Sequence, residues 1–273
     1  MIPFVKAHAC GNDFLILEES VAGRAHAALA RKLCSRNTSI GADGIEFLER
    51  RANGEFFLRL FNADGSEAEL SGNGTRCVAA WLAQSEGLQE VALGTHGGVR
   101  RCKVILKERE TPWWIESGMG VPRVMPRKIE IAGVAGVIDG AMVNVGNPHY
   151  VLFVENEDFS SHGMTWQELG AKIAVDPLFK FGTNVEFVRV LKEDEIAFRI
   201  FERGCGPTTS SGTGTCASSA AAMTLRGIAR KLKALAEGGE QGVEWPDAES
   251  EMMLTGPAEI ICQGEAEVQF DLL

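Results

Sequence analysis

Two short segments carry the residue types that suggest chemistry. Ser71-Gly72-Asn73-Gly74-Thr75 and Ser211-Gly212-Thr213-Gly214-Thr215 share one pattern, 140 positions apart. Each is followed by a run of small and apolar residues, Cys77 to Gln84 and Cys216 to Leu225, whose composition favours helix. A glycine-rich turn that opens a helix offers unpaired N–H groups and the positive end of the helix dipole, which together hold a carboxylate or phosphate. One copy is equally well read as a tight turn that packs a helix. Two copies imply a duplicated site, with both helix starts facing one small anion and Ser71 and Ser211 on opposite sides of it. Groups opposed across one carbon suit a two-base reaction, in which one removes an α-proton and the other delivers a proton to the far face. The N–H groups would stabilise the charge that develops on the carboxylate.

The elements that position these residues repeat as well. Arg59-Leu60-Phe61 matches Arg199-Ile200-Phe201, Ile45-Glu46-Phe47 matches Val185-Glu186-Phe187, and Gly11-Asn12 matches Gly146-Asn147 at a slightly shorter spacing. The period far exceeds that of solenoid repeats. It implies two homologous, pseudo-symmetric halves: an α+β fold in which each half is a barrel-like β layer wrapped around a central helix. The expected halves are residues 1–117 with 263–273, and residues 118–262. Strands are expected at Phe56–Asn62, Ile196–Glu202, Ile2–Lys6, Phe14–Glu18, Val99–Lys107, Lys128–Ile131, Met142–Val145 and Tyr150–Glu155. The tail adds Ala258–Cys262 and Ala266–Leu272. Two surface helices are expected at Ala22–Ser35 and Thr165–Val175.

Composition narrows the partners. Twenty-seven Lys and Arg stand against 37 Asp and Glu, a net charge of −10, which argues against nucleic acid and against a polybasic membrane contact. No apolar run is long enough to span a membrane. Seven scattered cysteines, with no Cys-x-x-Cys and no His-x-x-x-His, point to reduced thiols, a cytoplasmic setting and no metal. A small amino acid is the expected ligand, and a homodimer is the default assembly.

With these motifs in hand, the chain resembles the diaminopimelate epimerase family. The resemblance rests on Lys6-Ala7-His8-Ala9-Cys10-Gly11-Asn12-Asp13-Phe14, Arg59 to Leu70, Gly72 to Cys77, Gly146-Asn147-Pro148-His149, Gly182 to Phe187, Glu202-Arg203-Gly204, Ser211 to Gly214 and Thr255 to Glu259. It implies cofactor-free (PLP-independent) epimerisation of LL- to meso-diaminopimelate in lysine and peptidoglycan precursor synthesis. By position, Gly72, Asn73, Gly212 and Thr213 would bind the reacting carboxylate. Asn12, Asn62, Asn147, Asn184, Glu202 and Arg203 would hold the amino groups and the distal carboxylate, with His149 close by. The resemblance also implies cysteine bases at positions 71 and 211, where this chain has serine. A serine hydroxyl is far less acidic than a thiol and needs a partner base, for which Asp64, Glu67, Glu69 and His149 are candidates. The serine pair reads as natural divergence or as a deliberate replacement. Gly44 stands where some members carry Gln. The alternatives are a related racemase for another amino acid and a binding homologue without turnover.

Overall fold

The computed structural model describes residues 1–21, 23, 25–106 and 112–268. The first half contains β1 (Ile2–Ala9), β2 (Asn12–Glu18), α1 (His26–Leu33), β3 (Gly44–Arg50), β4 (Phe56–Asn62), β5 (Glu67–Ala68), α2 (Gly72–Glu86), β6 (Glu90–Thr95), β7 (Gly98–Leu106) and β8 (Trp113–Gly118). The second contains β9 (Arg123–Ile129), β10 (Ile138–Asn144), β11 (Pro148–Phe153), α3 (Trp166–Ala174), β12 (Asn184–Lys192), β13 (Glu195–Glu202), β14 (Gly206–Thr208), α4 (Gly212–Leu225), β15 (Lys231–Ala236) and β16 (Gly239–Glu244), and β17 (Met253–Ala266) ends the series.

Contacts divide the chain into two units, Met1–Ser117 with Gly256 onward, and Gly118–Thr255. The first half therefore regains the chain earlier than the expected residue 263. The cause is β17, one long strand that already pairs with β1 from His8↔Glu259. Of the expected strand Ala266–Leu272, only Ala266 is extended, Glu267 and Val268 are irregular, and the remainder lies outside the described residues. The expected helix Ala22–Ser35 is shorter, His26–Leu33, and its expected Ala22 and Arg24 lie outside the described residues, as does Lys107 of the expected strand Val99–Lys107.

In the first unit eight strands close a ring, β17–β1–β2–β3–β4–β6–β7–β8, with β8 paired back to β17. Two neighbouring pairs are parallel, β2–β3 and β4–β6. Parallel neighbours require a crossover, and α1 and α2 supply the two. In the second unit the order is β9–β10–β11–β12–β13–β15–β16–β17. The parallel pairs are β11–β12 and β13–β15, crossed by α3 and α4.

Strand alternation assigns one helix of each unit to the inside and one to the outside. Phe14 and Ile16 join the core around α2, with Cys77, Val78, Ala80 and Leu82. Leu15 and Leu17 point the other way, to Leu29 and Leu33 of α1. In the second unit Val151 and Val188 meet the alanines of α4, whereas Tyr150 and Leu152 meet Leu169 and Ile173 of α3. Enclosure explains why α2 and α4 are apolar or small on nearly every side. It also buries Cys77 and Cys216 completely. Among the described residues no helix is long and apolar enough to cross a membrane.

The duplication extends to the register. Ile45↔Phe61 on β3–β4 becomes Val185↔Phe201 on β12–β13, and Leu60↔Ala68 becomes Ile200↔Thr208. Both partners of each pair keep the sequence offset of 140.

Candidate active site: two half-sites at helix starts

Each half-site is built by the same local steps. The hairpins β4–β5 and β13–β14 turn the chain back, and three residues later it reaches Ser71 or Ser211 in extended geometry, φ −123° and −144°. Both serines are N-caps: Ser71 Oγ accepts from Gly74 N at 3.0 Å, and Ser211 Oγ from Gly214 N at 3.2 Å. The next N–H groups, of Thr75 and Thr215, bond the serine carbonyls at 2.9 Å. The first two N–H groups, of Gly72 and Asn73 or Gly212 and Thr213, have no intrahelical acceptor. Neither first turn carries an acidic side chain, so the positive end of each dipole is not neutralised from within the helix.

In the first half-site the β1–β2 turn sets Asn12. Cys10 and Gly11 both have positive φ, 52° and 81°, as a two-residue hairpin with the twist of its strands requires. Asn12 Oδ1 accepts from Asn73 Nδ2 at 3.1 Å, and Asn12 Nδ2 donates to Asp43 at 2.6 Å. Asp43 and Asp13 share Arg36, at 2.7 Å each. Burial opposes ionisation of Asp13, but hydrogen bonds from Arg36 and Lys6 outweigh it and hold the carboxyl below its usual range. Asn73 also accepts from the fully buried Arg76 at 2.5 Å. Asn62 is exposed and donates to Ser66 at 3.0 Å.

The second half-site is richer in proton-bearing groups. Asn147 donates to Thr213 at 3.4 Å, the counterpart of the Asn12–Asn73 contact. His149 is fully buried, with Nε2 2.8 Å from Asn147 Oδ1 and Nδ1 2.6 Å from Glu186 Oε1. The imidazole thus bridges the Asn147 amide and the Glu186 carboxyl. Burial raises the Glu186 carboxyl, and His149 opposes that rise. Glu202 accepts from Thr208 at 2.5 Å and lies close to Ser211. Burial drives its carboxyl upward, against the pull of those two hydroxyls and of His149. Asn184 Oδ1 accepts from Arg203 N at 2.9 Å, while the exposed Arg203 guanidinium bonds the Phe181 carbonyl at 2.9 Å.

The structure therefore gathers Asn12, Gly72 and Asn73 around Ser71, and Asn147, His149, Glu202, Gly212 and Thr213 around Ser211. Among the candidate partner bases, Asp64 is exposed and caps its own turn through Ser66, Glu67 pairs with Arg59 and His96, and Glu69 is exposed. The acid that lies close to a serine is Glu202, which the resemblance assigned only to substrate. Sequence reasoning also missed Glu46 and Glu186. Each is an acid between two apolar residues on a strand, at matched positions of the repeat, a pattern that a solvent-facing position shares.

The family model described as diaminopimelate epimerase matches residues 4–125 and 141–261. A diaminopimelate epimerase from Desulforudis audaxviator is 37% identical over 96% of this chain and 98% of its own. One from Pelotomaculum thermopropionicum is 34% identical with the same coverage. Among solved structures, a Bacillus anthracis phenazine biosynthesis protein of the PhzF family superposes with a TM-score of 0.74 at 15% identity, covering 98% of this chain and 99% of its own. A probable proline racemase from Agrobacterium radiobacter, solved with bound carbonate, gives 0.72 at 17% identity, covering 99% and 94%. At these identities the solved structures establish the fold alone.

Proposed function

Because the chain belongs to the diaminopimelate epimerase family, a family of isomerases, we propose that it interconverts LL- and meso-diaminopimelate by moving a proton between the two faces of one α-carbon. The observation that carries this reading is the duplicated helix start. Two N-cap serines, each followed by free N–H donors and no acid in the first turn, suit one α-carboxylate and two opposed proton carriers.

In this mechanism the substrate carboxylate accepts hydrogen bonds from the N–H groups of Gly72, Asn73, Gly212 and Thr213. Removal of the α-proton moves the bonding electron pair toward the carboxylate, where those donors meet the growing charge. A proton from the opposite side then completes inversion, so atoms and charge balance over the cycle. Asn12, Asn62, Asn147 and Asn184 orient the amino groups. Arg203 receives the distal carboxylate, for which a planar guanidinium is suited.

Ser71 and Ser211 stand at the two proton-transfer positions. A serine hydroxyl does not ionise near neutral pH, so each needs a carboxyl or imidazole behind it. Ser211 has Glu202, a carboxyl raised by burial, close by. Among the described residues the Ser71 side chain bonds only the Gly74 N–H, which favours slow turnover. The same observation supports a second reading, a protein that binds the amino acid without inverting it. Incubation with LL-diaminopimelate and chiral separation of the products distinguishes the two. Appearance of the meso isomer supports the epimerase, and tight binding with no inversion at any pH supports the binder.

A further inference from the structure

Glu46 lies in the middle of β3, and its neighbours Ile45 and Phe47 face the outer core with α1. Alternation therefore turns Glu46 inward toward α2, together with Leu48. It is 1% exposed, and its Oε1 has no hydrogen-bond partner. The carboxyl lies against Gly74, where an added Cβ would collide with it. The Gly74 N–H is the group that donates to Ser71 Oγ at 3.0 Å, so carboxyl and hydroxyl flank one residue of the first helical turn. The matched Glu186 lies beneath Gly214 in the same way, 3.2 Å from the Cβ position, but it holds His149. At the position of His149 the first unit has Phe14: the pair Phe14↔Gly44 matches His149↔Asn184. Glu46 consequently has no imidazole partner.

The ionisable surroundings of Glu46 are few. From α2 comes Cys77, which itself lies near Arg76, Cys10 and Asp13, the last engaged by Lys6 and Arg36. On β4 the residue opposite is Leu60. Glu19, in the short turn packed on β3, is taken up by His26 and Arg59. Burial pushes the Glu46 carboxyl up to about 8, which keeps it a neutral acid at neutral pH.

We propose that Glu46 is the positioning residue of the first half-site: as a neutral acid it leaves the positive end of α2 free to favour proton loss at position 71, and as a carboxylate it opposes that loss. The proposal rests on Ser71 acting as a proton carrier. It makes the two half-sites unlike, the first governed by a lone carboxyl and the second by Glu186–His149 and Glu202.

The test replaces the hydroxyl by a thiol whose ionisation can be read. In the full-length Ser71→Cys variant, alkylation of position 71 by iodoacetamide is followed against pH by peptide mass spectrometry. The expected profile has two inflections, one of them near 8 as Glu46 ionises. Adding Glu46→Gln removes that inflection and, above it but while the thiol is still mostly un-ionised, raises alkylation about tenfold, the effect of about one pH unit in thiol acidity. Ser211→Cys, with and without Glu46→Gln, serves as the control and gives matching profiles. Identical profiles at position 71 with and without Glu46→Gln overturn the proposal. If the double variant does not fold, a single-inflection curve for Ser71→Cys alone overturns it equally. The probe is iodoacetamide, so failure of this test is distinct from failure to turn over diaminopimelate.

Discussion

Replacing Glu46 by leucine should stabilise the protein at alkaline pH and leave it nearly unchanged in acid. The carboxyl is fully buried, and burial raises it from an ordinary 4.5 to about 8. An acid that binds its proton more tightly when folded costs stability once the unfolded chain can ionise. The loss therefore begins near pH 4.5, grows with pH and is complete above about 8. At about 1.4 kcal/mol per pH unit it amounts to about 5 kcal/mol, a large share of the ~5–15 kcal/mol that holds a typical domain together. Leucine has similar bulk and cannot ionise, and any repacking effect it brings is independent of pH. Urea unfolding of both chains at a series of pH values from about 4 to 9 gives the difference directly. The difference should be small at the acid end and favour leucine increasingly toward pH 8, then level off. Glu186 titrates in both chains and cancels. A difference that is flat across this range, or that favours the wild type at high pH, would refute the assignment of Glu46 as a buried neutral acid.

Three further outcomes follow from the same contacts. Gly74→Ala should destabilise the fold by about 1–3 kcal/mol, because its Cβ meets the Glu46 carboxyl, and Glu46→Ala should relieve most of that loss in the double variant, as measured by thermal unfolding. Glu202→Gln should remove the rise of turnover with pH that accompanies ionisation of a carboxyl held above its usual range beside Ser211; an unchanged pH–rate profile would exclude Glu202 as the base. Arg203→Ala should weaken binding of diaminopimelate by about 2–5 kcal/mol in calorimetry and affect alanine much less, since only the longer ligand has a distal carboxylate; equal losses would place Arg203 away from that end.

Much of the architecture is legible in the sequence, and the reason is the repeat. A constant offset between Ile45-Glu46-Phe47 and Val185-Glu186-Phe187 fixes equivalent strands, and the paired registers keep that offset. The two helix starts are equally legible, because Ser-Gly-x-Gly-Thr specifies an N-cap and a close backbone approach at once. The buried acids are not. An acid flanked by apolar residues on a strand reads as a solvent-facing position, and nothing local reveals that α1 covers one face of β3 and α2 the other. The family resemblance assigns Glu202 to substrate by position alone. Its proximity to Ser211 depends on the turn into β14, which brings Thr208 and Ser211 back over the end of β13. The boundary near residue 256 escaped because β17 is a single strand shared by both units, with no break in composition where it passes from one to the other.

The most direct test of the two-face mechanism is deuterium incorporation from D₂O into LL-diaminopimelate, read by mass analysis after chiral separation. Proton transfer at positions 71 and 211 requires a thiolate to outperform an alkoxide, since a thiol at a helix N-terminus ionises near neutral pH. The chain carrying Ser71→Cys and Ser211→Cys should form meso-diaminopimelate with one deuterium at the inverted carbon, far faster than the serine chain, and either single replacement should be less effective. Rapid labelled inversion by the serine chain, equalled or lowered in the double replacement, would contradict the assignment of these two positions as the proton carriers.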